Sequence, residues 1–134
     1  LAKFLHDDGS DALGPPFFRL FFSIDDVPAE FFLDTVARVF HQAALAEGRL
    51  AWRGTKIAPE RITKTALLTI EGGMDDISGP GQTQIAHDLC AGIPAERRGH
   101  LLCTHAGHVG LFFGSRWRQE VLPHISRFIR ENGN

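Results

Sequence analysis

Tyrosine is absent from this 134-residue chain, methionine occurs once and cysteine twice. The aromatic complement is instead eleven Phe and two Trp, which suits dry surroundings. Cys90 and Cys103 are too few for a disulfide framework. They read as buried thiols in a reducing compartment. An excess of positive charge is missing as well: 14 Lys+Arg stand against 16 Asp+Glu, for a formal net charge of −2. No attraction to nucleic acid or to an anionic membrane follows from that balance. No apolar run approaches the roughly 18 residues of a membrane span. The longest, around residues 17–24 and 31–33, are far shorter. The opening LAKFLHDDGSD carries acids early and has no long apolar core, so it does not read as a signal peptide. It also has no initiator Met, from which a processed, cut or incomplete chain is expected. Internal repeats and low-complexity segments are lacking too.

What is there reads as α/β. The Gly14-Pro15-Pro16 break and the Phe-rich run 17–22 give no clear element. Asp25-Asp26-Val27-Pro28 has the form of a helix start, an Asp cap with Pro in the first turn. The helix is expected over 28–46, with Phe32, Val36, Val39, Phe40 and Ala43 as its apolar stripe and Gly48 as its stop. Residues 50–57 predict a β-ribbon turning at Arg53-Gly54, and 59–62 a helical turn. Residues 66–70 form a short apolar run of the kind found in buried parallel strands. A glycine-rich loop, 71–81, leads to a helix over 82–91 with Ile85, Ala86 and Leu89 inward. A second strand is expected at 100–104, a second Gly-containing loop at 106–114, and a last helix over 115–130. That helix turns Trp117, Val121, Ile125, Phe128 and Ile129 to one side, with Pro123 as a kink. Strand, loop, helix, strand, loop, helix is an α/β order.

In open α/β sheets the chemistry sits in loops leaving the carboxyl ends of the strands. Asp75 lies in the first such loop, spaced from Gly72 as Gly-x-x-Asp. His108 lies in the second, between Gly107 and Gly110. Taken singly, an Asp after a strand serves as a cap or turn residue, and a His beside Gly as a solvated or capping group. Together, on successive strand ends with the acid before the His, they match the second half of a nucleophile–acid–His order. Asp76 then points elsewhere or caps the next helix. A nucleophile is not evident. No G-x-S-x-G occurs, none of Ser10, Ser23, Ser78, Ser115 and Ser126 lies on a strand-to-helix elbow, and neither cysteine sits at a helix N-terminus. His100, Cys103, His105 and His108 are dense in sequence. Strand alternation nevertheless sets His100 and Cys103 on opposite faces, so a metal site is not expected. Arg97-Arg98 and Arg116/Arg118 read as solvated surface.

Two stretches carry a resemblance. LLTIEGGMDDISGPGQT (67–83) looks like the acid loop of intracellular poly(3-hydroxyalkanoate) depolymerases. AGHVGLFFGSRWRQEVLPHISRFI (106–129) is similar to their His loop and closing helix. DDVPAEFFLDTVARVF, GRLAWRG and IAPERI fit the same family ahead of the acid strand, so the likeness spans about residues 17–130. It implies the C-terminal portion of an α/β-hydrolase fold, in a single incomplete domain over 1–134: a helical and β-ribbon segment over 1–62, then the acid- and His-bearing segment over 63–134. It implies hydrolysis of ester bonds in stored polyester, with Asp75 as triad acid and His108 as base. The nucleophile, Ser or Cys, would lie in an upstream half with which this chain would associate. Neither metal nor organic cofactor is implied. The implied partner is the poly(3-hydroxyalkanoate) polymer or its granule surface, and the implied location a cytoplasmic granule. The Phe side chains between Phe17 and Phe32 would line a polymer approach or, as the blander reading, form core. A second class of function stays open: a non-catalytic module that binds granules or a partner hydrolase.

Overall fold

A computed structural model describes Ser23 and residues 26–133. The expectations for Gly14 to Phe22, including Phe17, Phe18, Phe21 and Phe22, and for Ser10 and Asp25 lie outside the described residues. The first helix, α1 (Ala29–Thr35), continues as a π-helical segment, Val36–His41. It starts with Pro28 in the cap position, where an Asp is expected, and with no side-chain cap bond. It also ends earlier than 46. Ala43 takes a positive φ of 44° and the chain turns on to Gly48 at 62°. Most of the expected stripe is not covered as core: Phe32, Val39 and Phe40 are 60–74% exposed and Ala43 is exposed, while Val36 is half-buried.

The ribbon is present as β1 (Ala51–Trp52) and β2 (Thr55–Lys56), antiparallel. Arg53 and Gly54 both have φ > 0 at its tip (48° and 78°), as a tight hairpin turn that matches strand twist requires. A 3₁₀ turn, Pro59–Arg61, follows.

The element that organises the rest is a two-stranded parallel sheet. β3 (Leu67–Gly72) pairs with β4 (Arg98–Cys103), Thr69 opposite His100, Ile70 opposite Leu101 and Gly72 opposite Cys103. Side chains alternate along a strand and in-register neighbours share a face. One face is therefore apolar: Ile70, Leu101 and Cys103. The other is polar: Thr69, Glu71 and His100. The apolar face meets the C-terminal helix. Cys103, Ala106, Leu111 and Val121 form the buried cluster, with Ile70, Leu101, Trp117 and Ile125 packed on it. Gly99 belongs to this face too, and a Cβ there would stand 3.0 Å from the Phe128 ring and 3.1 Å from Leu68. The helix and the sheet approach closely because that residue has no side chain.

Between the strands runs α2 (Ala86–Leu89), shorter than the helix expected over 82–91, with turns on either side. Ala86 and Leu89 are half-buried, but Ile85 is 50% exposed and not inward. Arg98 is no solvated surface charge. Its guanidinium donates to the carbonyls of Ile93, His87 and Ala91 at 2.7, 3.2 and 2.6 Å, closing the carbonyl end of α2. Arg97 donates to the Asn132 carbonyl at 3.3 Å, and Arg116 pairs with Glu120 at 2.7 Å. α3 (Gly114–Arg116), a π-helical segment (Trp117–Val121) and α4 (Leu122–Asn132) follow one another in helical backbone. Pro123 has no N–H for a carbonyl in the preceding turn; the wider π turn stops just before α4 begins, with Pro in its first positions. Of the expected inner face, Val121 is buried, Trp117, Ile125 and Phe128 are half-buried, and Ile129 is 60% exposed. None of the described helices is long and apolar enough to cross a membrane.

Candidate active site

The polypeptide leaves β3 and β4 at the same end of the sheet, as parallel pairing dictates. The two departing loops are joined by backbone. Gly73 N–H donates to the Cys103 carbonyl at 2.8 Å, and Met74 N–H to the Ala106 carbonyl at 3.0 Å. The glycines permit this approach. A Cβ on Gly72 would fall 2.6 Å from the Ala106 oxygen, and one on Gly73 would fall 2.7 Å from the Thr104 oxygen. Two side chains meet at this seam. His108 Nδ1 is 2.9 Å from Asp75 Oδ2. An ionised carboxylate only accepts, so Nδ1 carries the proton.

Each partner is held. The other carboxylate oxygen of Asp75, Oδ1, accepts from Ile77 N–H at 2.9 Å and from Ser78 N–H at 2.8 Å. This is a local turn closed by the Asp side chain. Burial disfavours the charged form of Asp75. The Ser78 N–H, the His108 ring and the Ile77 N–H outweigh it, and the carboxyl is held below its ordinary range. His108 stands at the cap position of a buried 3₁₀ turn, Val109–Leu111. Its ring leans against Phe112, centroids 5.6 Å apart and planes 57° apart. Asp75 is 8% exposed and His108 half-buried, so the carboxylate lies beneath and the imidazole nearer the surface. Asp76, its neighbour, is exposed.

A second polar group, to which the sequence pattern assigns no role, lies on the other sheet face. Glu71, 3% exposed, accepts from Gly81 N–H through Oε2 and from Thr83 and Gln84 N–H through Oε1, all at 2.7 Å. Burial opposes its charge; the N–H groups of Gly81, Gln84 and Thr83 and the nearby His100 outweigh that and hold it low. Thr69 Oγ1 bridges His87 Nε2 at 2.8 Å and His100 Nδ1 at 2.9 Å, and His100 Nε2 lies 3.8 Å from Glu71. The available signal was a Glu closing an apolar strand: a charge there needs donors, and a turn into a helix supplies N–H groups.

The histidine-rich stretch divides accordingly. His100 joins Thr69 on the polar face and His108 joins Asp75. His105 is exposed, and Cys103 is buried in the apolar cluster. Burial pushes the Cys103 thiol up, Glu120 adds to this and Arg116 opposes it. Among the described residues, no group of three or more His, Cys, Asp and Glu is disposed to hold a metal ion. Cys90 is half-buried. A cavity of about 490 Å³ lies apart from the Asp75–His108 pair, lined by Gln84, His87, Asp88, Arg98 and His100 among others.

A family model described as "PHB de-polymerase C-terminus" matches residues 4–133. The chain belongs to that family. No curated protein and no solved structure matches it. In this member of the depolymerase C-terminal family, the loops that carry the sequence resemblance, 67–83 and 106–129, are the ones joined at the seam.

Proposed function

We propose that this chain supplies the acid and base of an ester hydrolase acting on stored polyhydroxyalkanoate, as the C-terminal portion of an α/β-hydrolase domain. The observation that carries the reading is the 2.9 Å contact between His108 Nδ1 and a buried Asp75 carboxylate at one end of a parallel sheet. Family membership supports the substrate class. The nucleophile, a Ser hydroxyl or a Cys thiol, comes from an upstream half that docks on this one. The polymer is met at a granule surface in the cytoplasm.

The steps balance as acyl transfer. His108 Nε2 takes the proton from the nucleophile as its oxygen or sulfur bonds to the ester carbonyl carbon. The tetrahedral intermediate then expels the chain alkoxide, which takes that proton from Nε2. Water, deprotonated by Nε2, attacks the acyl-enzyme, and the proton returns to the nucleophile as the carboxylic acid leaves. Asp75 keeps Nδ1 protonated and offsets the imidazolium charge that forms at each step. Phe112, against the ring, limits its rotation. A purely binding module, the other class that the sequence leaves open, has no use for this pair.

The test is the complete reading frame. Turnover of a polyester and of a p-nitrophenyl ester should be abolished by His108→Ala. It should fall on the order of 10⁴-fold in Asp75→Asn, which presents the wrong hydrogen-bond partner to Nδ1. The 134-residue chain alone should hydrolyse neither substrate. Robust turnover by that chain, lost in His108→Ala, would overturn the divided-site reading; full activity of both variants in the complete protein would overturn the assignment of the pair.

A further inference from the structure

Glu71 and Asp75 are four residues apart and face different parts of the fold, yet they act on the same loop. Asp75 turns its N-terminal part back through Ile77 and Ser78. Glu71, at the end of β3, gathers the N–H groups of Gly81, Thr83 and Gln84 and so ties down its far end. Loop 73–84 is thereby closed on itself near its start and tied at its far end to β3. Within that loop, Asp75 reaches the His108 ring at 2.9 Å. We propose that Glu71 is a positioning residue for catalysis: it holds loop 73–84 so that Asp75 presents Oδ2 to His108. This rests on the acid–base reading of Asp75 and His108 given above.

The geometry favours this over a merely structural role. The three accepted N–H groups all belong to the loop's far end, and none belongs to the apolar cluster that joins the sheet to the helix. Gly81 has φ +93°, a conformation that Gly adopts readily, and its N–H is one of the three bound. The carboxylate is kept ionised by those donors, so it can accept at both oxygens at once. An amide in its place accepts at only one. His100 is fixed to Thr69, as is His87, and the His100 ring stands beside the carboxylate.

The experiment uses the complete protein, a soluble ester as substrate, and hydrogen exchange over residues 74–84. Glu71→Gln should raise exchange across that loop and lower kcat about ten- to hundredfold, with KM within about twofold. Glu71→Ala should go further in both, while Asp34→Asn, which breaks an exposed pair with Arg38, should change neither. A change in KM alone, or unchanged kcat with a loosened loop, would overturn the proposal. Asp75→Asn separates the two readings. If it too leaves kcat unchanged, the acid–base assignment fails; if it lowers kcat and Glu71→Gln does not, only the role of Glu71 fails. Should Glu71→Gln not fold, Glu71→Asp is measured instead. Failure of both to fold would make Glu71 a stability residue and end the proposal.

Discussion

Both oxygens of the Asp75 carboxylate are occupied before any substrate arrives, one by two backbone N–H groups and one by His108. Glu71 is in the same condition with three. Each is held below its ordinary range in the fold. A depressed folded-state value adds stability that is complete above the unfolded-state value, about 4 for both residue types. It is lost as the pH falls from there through the lower folded values. The chain should therefore weaken steeply on acidification below about pH 4, with Asp75→Asn and Glu71→Gln each flattening that slope. Denaturant titrations at a series of pH values measure this. A wild-type curve level down to the most acid point would refute it. Of these two residues, only Asp75 was legible as a candidate. Its signal was local: a glycine-flanked acid after an apolar run. The partners of Glu71 lie ten to thirteen positions onward and are backbone groups, which no pattern of side chains announces.

At the level of elements, the seam between the two loops depends on closeness. Overfilling a tight contact costs about 1–3 kcal/mol. Gly72→Ala and Gly73→Ala should each destabilise by roughly that amount, because the new Cβ meets backbone rather than a side-chain tip that can swing away. Thermal denaturation checks this. Gly54→Ala is a useful contrast: nothing lies within 4 Å of its Cβ position, so any loss there comes from its φ of 78° alone. Loss at Gly54 but none at Gly72 and Gly73 would mean that the seam yields. The parallel strands were readable from two short apolar runs, and the hairpin from Arg53-Gly54, because burial and turn chemistry leave marks within a few residues. Helix extents were less so. The run from Phe32 to Ala43 has helical spacing, but spacing says which side is apolar and not what covers it. Similarly, Ile85 fits an inward pattern on a helix longer than the Ala86–Leu89 that forms. The π-helical segments at Val36–His41 and Trp117–Val121 add a residue to the turn and shift the faces beyond them, which a 3.6-residue repeat does not foresee.

Across the whole molecule, apolar surface is left uncovered. Phe31, Phe32, Leu33, Val39 and Phe40 on the first helical stretch, with Trp52, Phe112 and Ile129 elsewhere, are each 60% exposed or more. Among the described residues, the sheet has two strands, and β3 is paired along one edge only. An unpaired edge and exposed rings of this kind promote association. The 134-residue chain, produced alone, should self-associate with rising concentration and bind an apolar dye, as light scattering and fluorescence would record. A monodisperse monomer with a sharp thermal transition would contradict this.

The seam that joins residues 72–75 to 103–108 is made wholly within one continuous stretch of about forty residues. The Asp75–His108 contact takes its spacing from backbone that joins the two loops directly, with Leu111, Trp117 and Val121 packed behind Cys103 and Ala106. Exchanged together with the strands and helix that pack on it, residues 67–129, this seam should carry the contact intact into another chain of the family.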